Sequence, residues 1–78
     1  MSLKLFISKQ CPACTTARKK LIGMEYTTYD VGTVDGLAEA SYYGILSTPV
    51  LIQVDRDERE IKRWGSDDIV SLDKEGKI

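Results

Sequence analysis

Two cysteines separated by two residues place the strongest constraint on how this chain can fold. They bound residues 11–14, which read Cys-Pro-Ala-Cys and follow a short, mostly apolar run at residues 3–7. Proline is favoured at the first helical position because its fixed φ suits a helix and its missing N–H needs no partner there. Apolar residues then recur at the spacing of one helical face, at Cys14, Ala17 and Leu21. The pattern predicts a strand at residues 3–7 and a helix that begins at Pro12 and ends near Gly23.

The rest of the chain alternates between strand and helix signals. Runs of β-branched, aromatic and apolar residues predict three further strands, at residues 26–31, 50–54 and 60–64. The last of these is polar, which favours a sheet edge. A second helix is predicted from a cap at Thr33 to Gly44, and a short third helix after a cap at Ser66 or Asp67. Helical spacing predicts that the second helix turns four residues toward the core: Val34, Leu37, Ala38 and Ser41.

The predicted element order is β-α-β-α-β-β-α, which indicates an α/β fold. Because the first two strands flank a helix, they are expected to pair in parallel through a right-handed crossover, whereas strands three and four form a hairpin. We expect a single domain over residues 1–78, with a four-stranded mixed sheet whose faces are covered by helices. A domain of this size supports only a small core.

Composition and charge narrow the classes of function. Hydrophobic residues make up 42% of the chain and charged residues 29%, with a net charge of −1, as is typical of soluble globular proteins. No apolar run reaches the roughly 18 residues of a membrane span, and the start does not resemble a secretion signal. The basic run at residues 18–20 suits a helix C-terminus better than a nucleic-acid surface. We therefore expect a chain that binds neither nucleic acid nor membrane. We also expect it to act as a monomer in the cytoplasm.

The cysteine count points to redox chemistry. A link between residues 11 and 14 closes too short a loop to stabilise the fold much, and disulfide-stapled scaffolds carry more cysteines. Structural zinc takes four ligands, whereas the chain has two cysteines and no histidine, so no metal site is expected. A thiolate is the nucleophile in disulfide exchange, and the unpaired N–H groups of a helix start stabilise one at Cys11. Cys14, one turn further and facing inward, is then the resolving thiol.

With these features the chain resembles the glutaredoxins of the thioredoxin-fold superfamily. The resemblance covers nearly the whole chain and includes three segments: Cys-Pro-Ala-Cys at residues 11–14, Thr-Pro-Val at 48–50 and Gly-Ser-Asp-Asp at 65–68. It implies a thioredoxin fold and an enzyme that reduces disulfides of proteins or small molecules. It also implies that disulfide-containing proteins are the partners, that glutathione is the co-substrate and that no cofactor is bound.

The resemblance also implies binding residues around the cysteines. Pro49 matches a cis proline beside the redox pair, with the backbone of Thr48 facing the site. Lys9 matches a basic residue in the loop before the cysteines. The segment that holds the γ-glutamyl end of glutathione in the family is matched by Gly65, Ser66 and Asp67. A helix N-terminus there suits the carboxylate and an acid suits the amino group, although helix capping explains the same residue types.

Three departures from the family pattern leave the electron donor open. Trp64 stands where the family has a glycine, Ala13 stands where it commonly has a tyrosine, and the loop that contains Lys9 is one residue shorter. Trp64 also resembles glutaredoxin-like redoxins that take electrons from thioredoxin reductase, so a flavoprotein of that type is an alternative donor. Two other functions stay open: carrying an iron–sulfur cluster shared between two chains, and sensing redox state by binding a partner.

Overall fold

The computed structural model describes residues 2–75, with side chains described for residues 2–71. Seven elements follow one another in the predicted order. The strands are β1 (Ser2–Ile7), β2 (Thr27–Asp30), β3 (Val50–Val54) and β4 (Glu60–Trp64). The helices are α1 (Pro12–Lys20), α2 (Val34–Tyr42) and α3 (Ser66–Glu75). The sequence therefore predicted every element, and most of their ends to within two residues.

The four strands form one mixed sheet in the order β2-β1-β3-β4. β1 and β2 pair in parallel, and β3 and β4 form an antiparallel hairpin, so both predicted pairings are confirmed. β1 and β3 pair antiparallel at the centre, with Phe6 opposite Val50. β4 lies at an edge, as its polar sequence predicts, and only Trp64 among its residues is buried.

The sheet separates two clusters of buried apolar side chains, because successive residues of a strand point to opposite faces. Under α1 and α3 the cluster consists of Leu5, Ala17, Leu21, Leu51, Trp64 and Ile69. Under α2 it consists of Phe6, Ala40, Ile45, Val50, Ile52 and Val54. Helices therefore cover both faces, which confirms the predicted α/β architecture.

The predicted inner face of α2 is wrong. The four residues expected there are exposed: Val34 (86%), Leu37 (56%), Ala38 and Ser41. Gly36 and Ala40 face the sheet instead. A Cβ atom on Gly36 would overlap the backbone of Asp30, so only glycine lets α2 approach the end of β2 this closely. Two small residues one turn apart bring the helix close to the sheet and leave its larger apolar residues outside.

The start of α3 also differs from the prediction. The carbonyl oxygen of Gly65 accepts a hydrogen bond from the N–H of Ile69 at 3.0 Å, so the helix already begins at Ser66. Ser66 and Asp67 therefore lie in the first turn, one or two positions past the cap.

The predicted helix ends at glycine are confirmed. Gly23 and Gly44 follow α1 and α2 in the left-handed region, with φ of 95° and 67°.

A buried lysine links three elements on the α2 side of the sheet. Lys4 in β1 has a side chain only 7% exposed, and its ammonium donates to Glu58 at 2.7 Å and to the Tyr43 hydroxyl at 3.2 Å. It also pairs with Glu39 of α2 at 3.4 Å and lies 5.1 Å from the centre of the Tyr43 ring. Burial alone lowers the pKa of Lys4, but the hydrogen bonds to Glu58 and Tyr43 and the charge of Glu39 outweigh it, so the pKa is raised. We call these four residues the Lys4 cluster.

The Lys4 cluster predicts a loss of stability at alkaline pH. The pKa of Lys4 is higher in the folded than in the unfolded chain. The contribution of Lys4 to the free energy of unfolding is therefore fully present below its ordinary pKa of 10.5 and declines as pH rises above that value. Between about pH 10.5 and pH 11.5 the wild type should lose about 1 kcal/mol of unfolding free energy relative to Lys4→Met, because Lys4 of the unfolded chain gives up its proton over this range while Lys4 of the folded chain keeps it. Urea unfolding of both chains across this range measures the difference. Equal slopes for the two chains would contradict the prediction.

Gly36 predicts a second effect on stability. Gly36→Ala should lower the free energy of unfolding by about 1–3 kcal/mol, because the added methyl group forces α2 away from Asp30. Gly65→Ala is the matched control, since a Cβ there meets no atom within 4 Å. Denaturant unfolding of both variants tests this. A Gly36→Ala chain as stable as the Gly65→Ala chain would refute the close-packing argument.

Candidate redox site

Cys11 and Cys14 form a disulfide at the beginning of α1, with their Cα atoms 5.2 Å apart. Cys11 caps the helix, and its Sγ accepts a hydrogen bond from the N–H of Cys14 at 3.1 Å. The first turn of α1 has no acidic residue, and the last turn has three basic ones at residues 18–20. Both the free N–H groups and the direction of the helix dipole therefore favour negative charge on the Cys11 sulfur.

The two sulfurs differ in their access to solvent. Cys14 is 3% exposed and lies on the same side of α1 as Ala17, which belongs to the core under this helix. Cys11 is half-buried. Cys11 is therefore the more accessible of the two sulfurs, and its role as the attacking thiol stays a prediction.

A chain of two hydroxyl groups leads to the Cys11 sulfur, from Ser8 just after β1 through Thr48 two residues before β3. The Thr48 hydroxyl donates to Sγ of Cys11 at 3.7 Å, and the Ser8 hydroxyl lies 3.0 Å from the same Thr48 oxygen. Since the Thr48 hydrogen points to sulfur, Ser8 is the donor in the second contact. The Thr48–Pro49 peptide bond is cis, as the resemblance implies, and Pro49 is buried.

The contact of Ser8 with the site was not predicted from the sequence. The signal lies in the strand register, because Phe6 is opposite Val50 and continuing the same pairing by two residues places Ser8 opposite Thr48. The antiparallel pairing of β1 with β3 was not part of the prediction, so the register could not be used.

The other predicted binding residues are not joined to this site by direct contacts. Lys9 is exposed in the loop between β1 and α1, Gly65 and Ser66 are half-buried at the start of α3, and Asp67 is exposed. In the part of the chain that the structure describes, no hydrogen bond or ion pair links these four residues to the cysteines. Their role in binding glutathione stays a prediction.

Trp64, which replaces a family glycine, is a core residue. It is 4% exposed and packs with Leu21 and Ile69 between the sheet and the helices α1 and α3. The ammonium of Lys62 lies 5.2 Å from the centre of a Trp64 ring. Ala13, the second departure, is exposed in the first turn of α1.

Neither a metal centre nor a membrane span is evident within residues 2–75. Among residues 2–71, whose side chains are described, no cluster of three or more His, Cys, Asp or Glu residues has the arrangement needed to hold a metal ion. None of the helices in the same range is both long enough and apolar enough to cross a membrane.

Solved structures with the same arrangement show that the chain has the thioredoxin fold. Thioredoxin 1 from the thermophilic eubacterium Thermosipho africanus matches with a TM-score of 0.69 and 20% identity, over 96% of this chain and 93% of that one. A glutaredoxin from Brucella melitensis matches with a TM-score of 0.63 and 24% identity, over 97% of this chain and 82% of that one. A disulphide isomerase from Xylella fastidiosa matches with a TM-score of 0.66 and 18% identity, over 95% and 76%.

These likenesses concern the fold, because all the identities are below 25%. No protein-family model matches the chain, and no curated protein matches it by sequence. The thioredoxin-fold resemblance drawn from the sequence is confirmed, and a glutaredoxin is among the structures that share it. A Cys-x-x-Cys pair at the first helix of a thioredoxin fold is thus the defining feature of the molecule.

The hydroxyl contact predicts how Cys11 titrates in the reduced chain. Thr48→Val keeps the shape of the side chain but removes the donor to sulfur, so the pH midpoint for alkylation of Cys11 should rise. Iodoacetamide reaction rates across pH measure this midpoint. Thr16→Val, an exposed change of the same kind within α1, is the control and should leave the midpoint in place. An unchanged midpoint in Thr48→Val would show that the hydroxyl does not stabilise the thiolate.

Proposed function

We propose that this chain is a thiol–disulfide oxidoreductase of glutaredoxin type, in which Cys11 attacks and Cys14 resolves. One observation carries the proposal: the two cysteines pair at the start of α1 with one sulfur accessible and the other 3% exposed. A dithiol of this kind gives up two electrons when it closes to a disulfide and regains them when it is reduced.

In the reducing direction, the Cys11 thiolate attacks one sulfur of a substrate disulfide. The other substrate sulfur leaves as a thiolate and takes up a proton, and a mixed disulfide joins the substrate to Cys11. The Cys14 thiol then loses its proton and attacks Sγ of Cys11, which releases the second substrate thiol and closes the Cys11–Cys14 bond. The substrate gains two electrons and two protons, and the chain loses the same number.

The neighbouring groups support this division of roles. The N–H of Cys14 and the hydroxyl of Thr48 both point at the Cys11 sulfur, where they stabilise the attacking thiolate. Cys14 is buried within one helical turn of the mixed disulfide, so it reaches Cys11 faster than a second thiol from solution does. The backbone of Thr48, beside Pro49, would pair with an extended substrate segment as in strand addition.

The oxidised chain needs an external reductant, and two are consistent with its features. Two glutathione molecules would reduce the Cys11–Cys14 bond and leave as glutathione disulfide. Lys9, Gly65, Ser66 and Asp67 would bind the first of them while it reacts. A flavoprotein of the thioredoxin-reductase type would supply the same two electrons. We propose that the chain acts as a monomer in the cytoplasm on disulfide-containing proteins, without a bound cofactor.

Turnover of a model disulfide by cysteine variants tests the proposed roles. Cys11→Ser should lower the rate at least about a hundredfold, because a serine hydroxyl is a far weaker nucleophile at neutral pH. Cys14→Ser should still react once and accumulate a mixed disulfide on Cys11, visible by mass spectrometry of the unreduced protein. Wild-type turnover no faster than that of Cys11→Ser, with either reductant, would reject the oxidoreductase function.

The same assay separates the two reductants. It is run once with glutathione and glutathione reductase, and once with thioredoxin reductase, each beside Cys11→Ser. Turnover with glutathione favours the binding role of residues 65–67. Turnover only with thioredoxin reductase would mean that residues 65–67 form the start of α3 and do not bind glutathione.

A further inference from the structure

Charge is distributed unevenly along the chain. Residues 1–24 contain five basic residues and no acidic one, although the whole chain has a net charge of −1. Three of the five lie in the last turn of α1, at residues 18–20, where they suit the negative end of the helix dipole. That role accounts for their charge, but it does not say what the two exposed ones, Arg18 and Lys19, contact.

A groove of about 350 Å³ lies along the exposed side of α1, toward the beginning of β2. It is lined by Thr15, Arg18, Lys19, Ile22 and Tyr26. The first four recur at the three- and four-residue spacing of one helical face, and Tyr26 lies immediately before β2. The groove therefore combines two cations with one aliphatic and one aromatic side chain.

The positive charge of this groove is not neutralised. Among residues 2–71, whose side chains are described, neither Arg18 nor Lys19 forms an ion pair or a side-chain hydrogen bond. Arg63, by contrast, pairs with Glu60 at 2.7 Å. Glu25, the first acidic residue of the chain, is not among the residues that line the groove. Arg18 and Lys19 are therefore available to an anionic group from another molecule.

The apolar part of the groove restricts what that molecule can be. Ile22 is 80% exposed, and Tyr26 is half-buried at the edge of the core under α1. An aliphatic side chain placed against them removes apolar surface from water, while carboxylates on either side of it pair with Arg18 and Lys19. A nucleic acid offers phosphates but no aliphatic group for Ile22, and a small free anion leaves Ile22 exposed. An acidic peptide segment that contains an apolar residue satisfies both parts of the groove.

We propose that this groove is a docking surface for an acidic segment of another protein, with an apolar side chain between its carboxylates. The inference goes beyond the oxidoreductase function and does not depend on it. Tyr26 precedes β2 whereas Cys11 follows β1, and because these strands are parallel the two residues lie toward opposite ends of the sheet. Neither Cys11 nor the Thr48–Pro49 segment lines the groove. A protein docked there therefore leaves Cys11 accessible.

Titration of the oxidised chain with the blocked peptide acetyl-Glu-Asp-Leu-Glu-Asp-amide, followed by backbone amide NMR shifts, tests the proposal. The signals of residues 15–26 should move. The dissociation constant should be about fivefold larger for Arg18→Gln combined with Lys19→Gln, because two ion pairs are lost. Arg56→Gln combined with Lys62→Gln is the matched control, since it removes the same charge from exposed residues outside the groove. It should keep the wild-type constant.

Two further probes separate the charged from the apolar contribution. The uncharged peptide with glutamine and asparagine in place of the acids should bind the wild type about fivefold more weakly than the acidic one, and Ile22→Ser should weaken binding of the acidic peptide by a similar factor. No shift at residues 15–26 with several millimolar peptide, or equal weakening in both double variants, would overturn the proposal. Tighter binding of a thymidine pentanucleotide of the same charge at these residues would assign the groove to nucleic acid and also overturn it.

Discussion

The two central strands, β1 and β3, run antiparallel, and side chains cover both of their faces. Every group at the redox site takes its position from this pairing. β1 delivers the chain to Cys11 at its carboxyl end, and β3 begins at the same edge with Thr48 and Pro49 immediately before it. Because Phe6 is opposite Val50, Ser8 comes level with Thr48 and the two hydroxyl groups meet beneath the Cys11 sulfur. A shift of β3 by one residue in this register would turn the Thr48 hydroxyl to the other face of the sheet, away from Ser8.

Much of this arrangement can be read from the sequence, and the reasons are local. Pro12 and the apolar spacing of α1 mark where the helix starts, so the positions of Cys11 and Cys14 follow from short-range rules. The apolar residues of β1 and β3, bounded by loop residues, identify the central strands. The parallel β1–β2 pair and the β3–β4 hairpin follow from the lengths of their connections. The resemblance to glutaredoxins supplied the cis geometry at Pro49, which sequence statistics alone do not favour.

What the sequence did not predict depends on contacts between distant segments. Periodicity assigned Leu37 to the core face of α2, but the residue that decides this face is Gly36. It matters because it packs against the backbone of Asp30, where a larger residue does not fit. The Lys4 cluster joins β1, α2 and the β3–β4 turn, and a single lysine in an apolar strand gives no local sign of such partners. Ser8 likewise has no distinguishing neighbour until the register of β1 and β3 is known. In each case tertiary packing, and not propensity, decides the outcome.

The turn that contains Glu58 and the Cys11 sulfur lie toward opposite ends of β3. Thr48 and Pro49 precede the first residue of this strand and the turn follows the last, so about 17 Å of strand separates the turn from the Thr48–Pro49 segment. Arg56 is exposed in this turn, at the end remote from Cys11. A tether attached at Arg56, whether to an electrode, a surface or a second protein, would therefore hold the chain with its redox end facing outward. The length of the buried strand β3 therefore sets the distance between a tether at Arg56 and the Cys11–Cys14 pair.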